Sequence, residues 1–82
     1  MRELWYFSAP WCEPCKAFGP TMNNIIEKGI KVEKVNIDYD ATSASKYNIR
    51  SVPTVILVEN GKEINRFVGV KSGQEVMNFY NG

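Results

Sequence analysis

"ELWYFSAPWCEPCKAF", residues 3–18, contains the change of pattern that decides the fold. Its first five residues, "ELWYF", are apolar and aromatic without alternation, which suits a strand buried on both faces. Ser8-Ala9-Pro10 ends that run. From Glu13 to Lys28 the pattern is helical, with Ala17, Phe18, Met22, Ile25 and Ile26 recurring at three- and four-residue spacing. Gly29 supplies a helix stop, with Ile30 as the apolar contact after it. Pro20, inside the helix, removes a backbone donor and should bend the axis. Between strand and helix stand Cys12 and Cys15, the chain's only cysteines.

Outward from this unit the elements alternate. "IKVEKVNI" (30–37) reads as a second strand, and its charges at Lys31, Glu33 and Lys34 suit a sheet edge. Residues 41–48 form a weak helix, opened by Asp40 and closed by Asn48. "TVILV" (54–58) and "EINRFV" (63–68) are strands three and four. Asn60-Gly61 between them has the composition of a type I′ hairpin turn, which needs positive φ at both positions. Ser72 and Glu75 form a capping box ahead of a last helix that carries Val76, Phe79 and Tyr80 on one face. The order β-α-β-α-β-β-α implies an α/β fold, a four-stranded mixed sheet with helices on both faces. Residues 1–82 are expected to form one domain.

Composition narrows the function. The 82 residues are 44% apolar and 23% charged, an ordinary globular balance. Net charge is +1 and no Lys/Arg run occurs. That speaks against nucleic acid or an anionic membrane as the main partner, since binding phosphates takes concentrated positive charge. No segment has the length and apolarity of a membrane span, and the N-terminal stretch lacks a signal-peptide pattern. The expected location is the cytoplasm, where thiols are kept reduced and a cysteine pair is reactive or metal-binding rather than a staple.

Cys12 follows the first strand and opens the helix, in an expected exposed position. Free N–H groups and the positive end of the helix dipole there favour thiolate over thiol. Cys15, one turn inside, is close enough to attack a mixed disulfide on Cys12 and release the partner. Pro14 removes a donor that the first turn leaves unpaired anyway and pre-sets helical φ. The competing readings are a zinc site completed by carboxylates or across a dimer, and a structural disulfide. The chain has no histidine, and a four-residue loop constrains the unfolded chain little.

In order, these segments resemble the thioredoxin family over nearly the whole chain. "APWCEPCKAFGP" (9–20) is similar to the family's active-site segment. "VEKVNID" (32–38) is similar to its strand ending in Asn-Ile-Asp, and "YNIRSVPT" (47–54) to the segment bearing the cis-proline. "VENGKE" and "FVGV" are similar to the last hairpin. The resemblance implies a protein-disulfide reductase that cycles between dithiol and disulfide. Its only redox group would be the Cys12–Cys15 pair, with no metal and no further cofactor. Cys12 would be the nucleophile and Cys15 the resolving cysteine. Pro53 would be the cis-proline facing the sulfurs, and Trp11, Val52, Pro53, Val68 and Gly69 a docking rim. The implied partners are disulfide-containing proteins and a thioredoxin reductase or similar reductant, with the chain expected to act as a monomer.

Departures accompany the resemblance. The chain begins at what would be the family's second strand, leaving residues 30–37 as an edge and the element set of a minimal glutaredoxin-like core. Glu13 stands where the family usually has glycine. Tyr6, six residues before Cys12, stands where it buries an aspartate. Glu13, Pro14, Lys34 and Tyr6 are therefore the residues expected to tune the thiols. The alternatives are a glutaredoxin-like enzyme that uses glutathione, whose usual Gly-Gly and acidic residue "VGVKSGQE" lacks, and a binding subunit with idle cysteines.

Overall fold

The computed structural model describes residues 1–82. It contains β1 (Arg2–Ser8), α1 (Glu13–Glu27), β2 (Val32–Asn36), α2 (Ala41–Lys46), β3 (Thr54–Glu59), β4 (Lys62–Val68) and α3 (Gly73–Asn81), the expected order. The sheet runs β2-β1-β3-β4. β1 pairs parallel with β2, Tyr6 opposite Lys34, and antiparallel with β3, Tyr6 opposite Val55. β3 and β4 form the antiparallel hairpin. The strand that leads to the cysteines is thus paired on both sides, which fixes the start of α1.

Alternation along the central strands feeds two cores. Leu4, Tyr6, Val55, Leu57 and Phe67 face α1 and α3, where Phe18, Met22, Ile25 and Val76 close over them. Phe7, Ile56 and Val58 face the other way, with Val35 and Tyr47. Trp5 also packs on that side. α2 itself buries no residue fully; Tyr47, its C-cap, makes the contact. Each full burial of a side chain of this size contributes about 1.5–3 kcal/mol, so the packing on α1 and β3 outweighs the weak propensities of α2.

Local signals act as the sequence implies. Ser72 Oγ accepts from Glu75 N–H while Glu75 Oε1 accepts from Ser72 N–H, closing the capping box. Asp40 caps α2 and Asn48 ends it at φ 55°. Asn60 and Gly61 take φ 53° and 83° in the hairpin turn.

Three expectations need correction. The buried stripe of α1 is Cys15, Phe18, Met22 and Ile25, while Ala17 and Ile26 face solvent. Spacing alone admitted Ala17 and Ile26 beside Phe18 and Ile25, but the core that α1 packs on takes Phe18, Met22 and Ile25. β2 is shorter than the apolar run at 30–37; Ile30 lies outside the strand and still packs on the core. β4 begins at Lys62, and a register shift opposite Leu57/Val58 leaves Ile64 47% exposed.

Candidate active site

Cys12 is the N-cap of α1, with Glu13 and Pro14 as its first two residues. Its backbone is extended there (φ −92°, ψ 108°), so the chain turns from strand into helix at the cysteine itself. Cys12 and Cys15 are joined as a disulfide, with Cα atoms 5.2 Å apart. The Cys12 sulfur accepts a hydrogen bond from Cys15 N–H at 3.2 Å. It therefore occupies the place of a capping oxygen, where an unpaired helix donor and the dipole favour negative charge.

Cys12 is not exposed as expected. Both cysteines are 5% exposed, packed with Ala9 against Ile37 and Val52. The two sulfurs differ instead in what surrounds them. Cys12 Sγ lies 3.6 Å from the Val52 carbonyl oxygen, on the side of the loop that leads into β3. Cys15 lines a cleft of about 300 Å³ together with Tyr6, Lys16 and Lys34, a cleft that Cys12 does not line.

The Val52–Pro53 peptide bond is cis. The Pro53 carbonyl accepts from Gly69 N–H at 2.9 Å, which ties the loop before β3 to the end of β4. Gly69 has φ 97°, and a Cβ built there would meet nothing within 4 Å. Glycine is thus required at 69 by backbone conformation and not by crowding within the chain. Around this junction Val68 is 60% and Trp11 63% exposed, while Val52 is half-buried and Pro53 buried. The apolar surface beside the disulfide is therefore open on its Trp11 and Val68 flanks.

The remaining expected residues fall in different places. Tyr6 lies under the pair, its hydroxyl donating to the Cys15 carbonyl at 3.2 Å. Burial pushes its phenol above the usual value, with the Ser8 hydroxyl acting weakly the other way. Lys34 reaches the same cleft but donates to Asn23 Oδ1 at 2.7 Å. Glu13 is turned to solvent and pairs with Lys16 at 3.1 Å. Sequence reasoning missed Asp38, whose Oδ1 accepts from the Trp11 indole at 3.3 Å; its place two residues beyond the end of β2 was the available signal. It also missed Asn23, which no spacing rule marks. No group of three or more His, Cys, Asp or Glu side chains is placed to hold a metal ion, and no helix is long and apolar enough to cross a membrane.

A strand held on both edges, a helix capped by one sulfur and a second sulfur one turn on define a thiol–disulfide oxidoreductase. Comparison with known proteins places it further. The family model described as Thioredoxin matches residues 2–81. Thioredoxin of Chlamydia caviae is 36% identical over 77 residues, covering 92% of this chain and 76% of that protein. Thioredoxin of Haemophilus influenzae is 32% identical over 78 residues, covering 92% and 73%. Among solved structures, a point-mutant thioredoxin from Halobacterium salinarum superposes with a TM-score of 0.91 at 28% identity, covering 98% of this chain and 72% of that one. Fasciola hepatica thioredoxin gives 0.90 at 26% identity, covering 98% and 78%. The chain belongs to the thioredoxin family, whose members act on disulfide substrates and are recharged by a reductase.

Proposed function

We propose that this chain is a monomeric protein-disulfide reductase of the cytoplasm, acting as a single domain, with Cys12 as nucleophile and Cys15 as resolving thiol. The observation that carries the reading is the capping position of the Cys12 sulfur. After reduction, that sulfur keeps the Cys15 N–H and the helix dipole as stabilisers of its negative charge, whereas Cys15 sits within the helix. Cys12 thiolate attacks one sulfur of a substrate disulfide and the other sulfur leaves as thiolate. Cys15 thiolate then attacks Cys12, the Cys12–substrate bond breaks, and the pair ends as the disulfide seen here. The substrate gains two electrons and the dithiol loses two.

Docking uses the rim of Trp11, Val52, Pro53, Val68 and Gly69. The N–H of Val52 has no partner within the chain and its carbonyl meets only the Cys12 sulfur. An extended substrate segment can pair with this backbone while Trp11 and Val68 cover its apolar side chains. Pro14 pre-sets the first turn, and Glu13, Lys34 and Tyr6 adjust the thiols. The balanced charge of +1 supports protein partners over nucleic acid or membrane. The test is reduction of insulin disulfides with NADPH and thioredoxin reductase as the electron source, run beside glutathione with glutathione reductase. Turnover with the first system and little with the second is expected. Turnover with glutathione alone would make the chain glutaredoxin-like. Full biological function in a Cys12→Ser/Cys15→Ser variant would make it a binding subunit.

A further inference from the structure

Tyr6 reaches from the middle of β1, the strand paired on both sides, to the first turn of α1. It is 4% exposed. Its ring packs edge-on against Phe18, centroids 5.6 Å apart at 90°, one turn beyond Cys15. Its hydroxyl meets the Cys15 carbonyl. Ring and hydroxyl thus do separate things: the ring is held by core packing, and the hydroxyl grips the backbone of the residue that carries the inner sulfur.

The cleft beside Cys15 is lined by Tyr6, Ser8, Lys16, Lys34 and Asn36, among others, and by no carboxylate. The titratable groups that face it come from each neighbouring element. β1 supplies the neutral phenol, β2 supplies Lys34 opposite Tyr6, and α1 supplies Lys16. Two acids close by in the chain already have partners: Glu13 pairs with Lys16, and Asp38 accepts from the Trp11 indole.

We propose that Tyr6 is a positioning residue for the resolving thiol, and that the proton of Cys15 leaves directly to water in this cleft rather than to a side-chain base. The proposal rests on the Cys12/Cys15 cycle above. In the step, Cys15 S–H gives its proton to water. The sulfur's electron pair attacks Cys12 Sγ in the mixed disulfide, and the bond from Cys12 to the substrate sulfur breaks. That pair leaves with the substrate sulfur, which takes a proton from solvent, and the Cys12–Cys15 bond forms. The Tyr6 hydroxyl neither gives nor takes a proton; burial keeps the phenol neutral. It holds the Cys15 carbonyl, and with it the direction from which the sulfur approaches.

The experiment mixes fully reduced protein with one equivalent of 5,5′-dithiobis(2-nitrobenzoate) in a stopped-flow instrument across pH. The first coloured thiolate is released when Cys12 attacks and the second when Cys15 resolves. In Tyr6→Phe the first release should stay within about twofold of wild type, and the second should slow about three- to tenfold, the effect of losing one ordinary hydrogen bond. The second release should show one pH inflection in both proteins, with a lower plateau in the variant. Equal slowing of both releases, or no slowing of the second, would overturn the positioning role. An additional inflection below that of the thiol in wild type would reveal a side-chain base and overturn the proton route. A Tyr6→Phe chain that cannot fold would contradict the separation of ring from hydroxyl and overturn the proposal too. Failure of the cycle itself reads differently: wild-type protein would release one equivalent only and stop at a stable mixed disulfide.

Discussion

Phe18 holds the active-site helix on the sheet, and its removal gives a test of the packing that orients the disulfide. The side chain is fully buried between the rings of Tyr6 and Phe67, at 5.6 and 6.2 Å. Phe67 in turn packs edge-on against Phe79 of α3 at 4.9 Å, so one row of rings joins both helices to the sheet. Truncating such a phenylalanine to alanine costs about 3–5 kcal/mol, transfer and cavity together. A domain of this length has a total stability of about 4–12 kcal/mol. Phe18→Ala should therefore lose at least a quarter of the stability and in the limit leave no folded protein. Phe18→Leu keeps most of the volume and should lose about 1–1.5 kcal/mol. For a domain of this size that lowers Tm by about 4–12 °C. Urea unfolding followed by far-UV circular dichroism, in oxidised and reduced protein, measures both losses. They should be equal in the two redox states, because Phe18 lies outside the cluster that contains the sulfurs. A loss below about 1.5 kcal/mol in Phe18→Ala would refute the assignment of this ring as the anchor of α1.

Cys15→Ser should accumulate mixed disulfides on Cys12 with a disulfide substrate, while Cys12→Ser accumulates few; mass spectrometry of trapped adducts reads the ratio, and equal trapping would reverse the roles. Glu13→Gly should lower the Cys12 thiol pKa, followed by thiolate absorbance, because a carboxylate beside a thiolate disfavours it. The shift should be small and vanish at high salt, since Glu13 is solvent-exposed and already paired with Lys16. A higher thiol pKa in the variant would contradict the electrostatic reading. The carboxyls of Asp40, Glu59 and Glu75 are held below their usual range, by the Ser43 N–H, the Arg2 guanidinium and the Ser72 N–H respectively. Folding lowers their pKa values, so the stability they add is complete above the unfolded carboxylate range and is lost as pH falls through the lowered folded values. Glu75→Gln should flatten that acid-side loss in a urea-midpoint series from neutral pH downward; an unchanged slope would show that the capping box carries no such linkage.

The sequence by itself determined those features whose physical cause is local. An unbroken aromatic run, a Ser-Ala-Pro break and a helical period around two cysteines specify strand, turn and helix without distant contacts. The Asn60-Gly61 turn and the Ser72/Glu75 box are equally local, since each satisfies its own backbone within a few residues. The segment order around Cys12, Cys15 and Pro53 was enough to bring the family into view. Tertiary structure alone decided how the two sulfurs differ. Both cysteines are buried alike, and Cys12 faces the loop at Val52 while Cys15 faces Tyr6 and Lys34. Those neighbours come from β1, β2 and the loop before β3, and only the pairing of β1 in the sheet brings them to one helix start. Burial of Cys12, the loss of Ala17 and Ile26 from the buried stripe, and the Trp11–Asp38 and Lys34–Asn23 bonds have the same origin. A periodic pattern states which side of a helix is apolar, but the contacts made with the rest of the fold decide which residues on that side are covered.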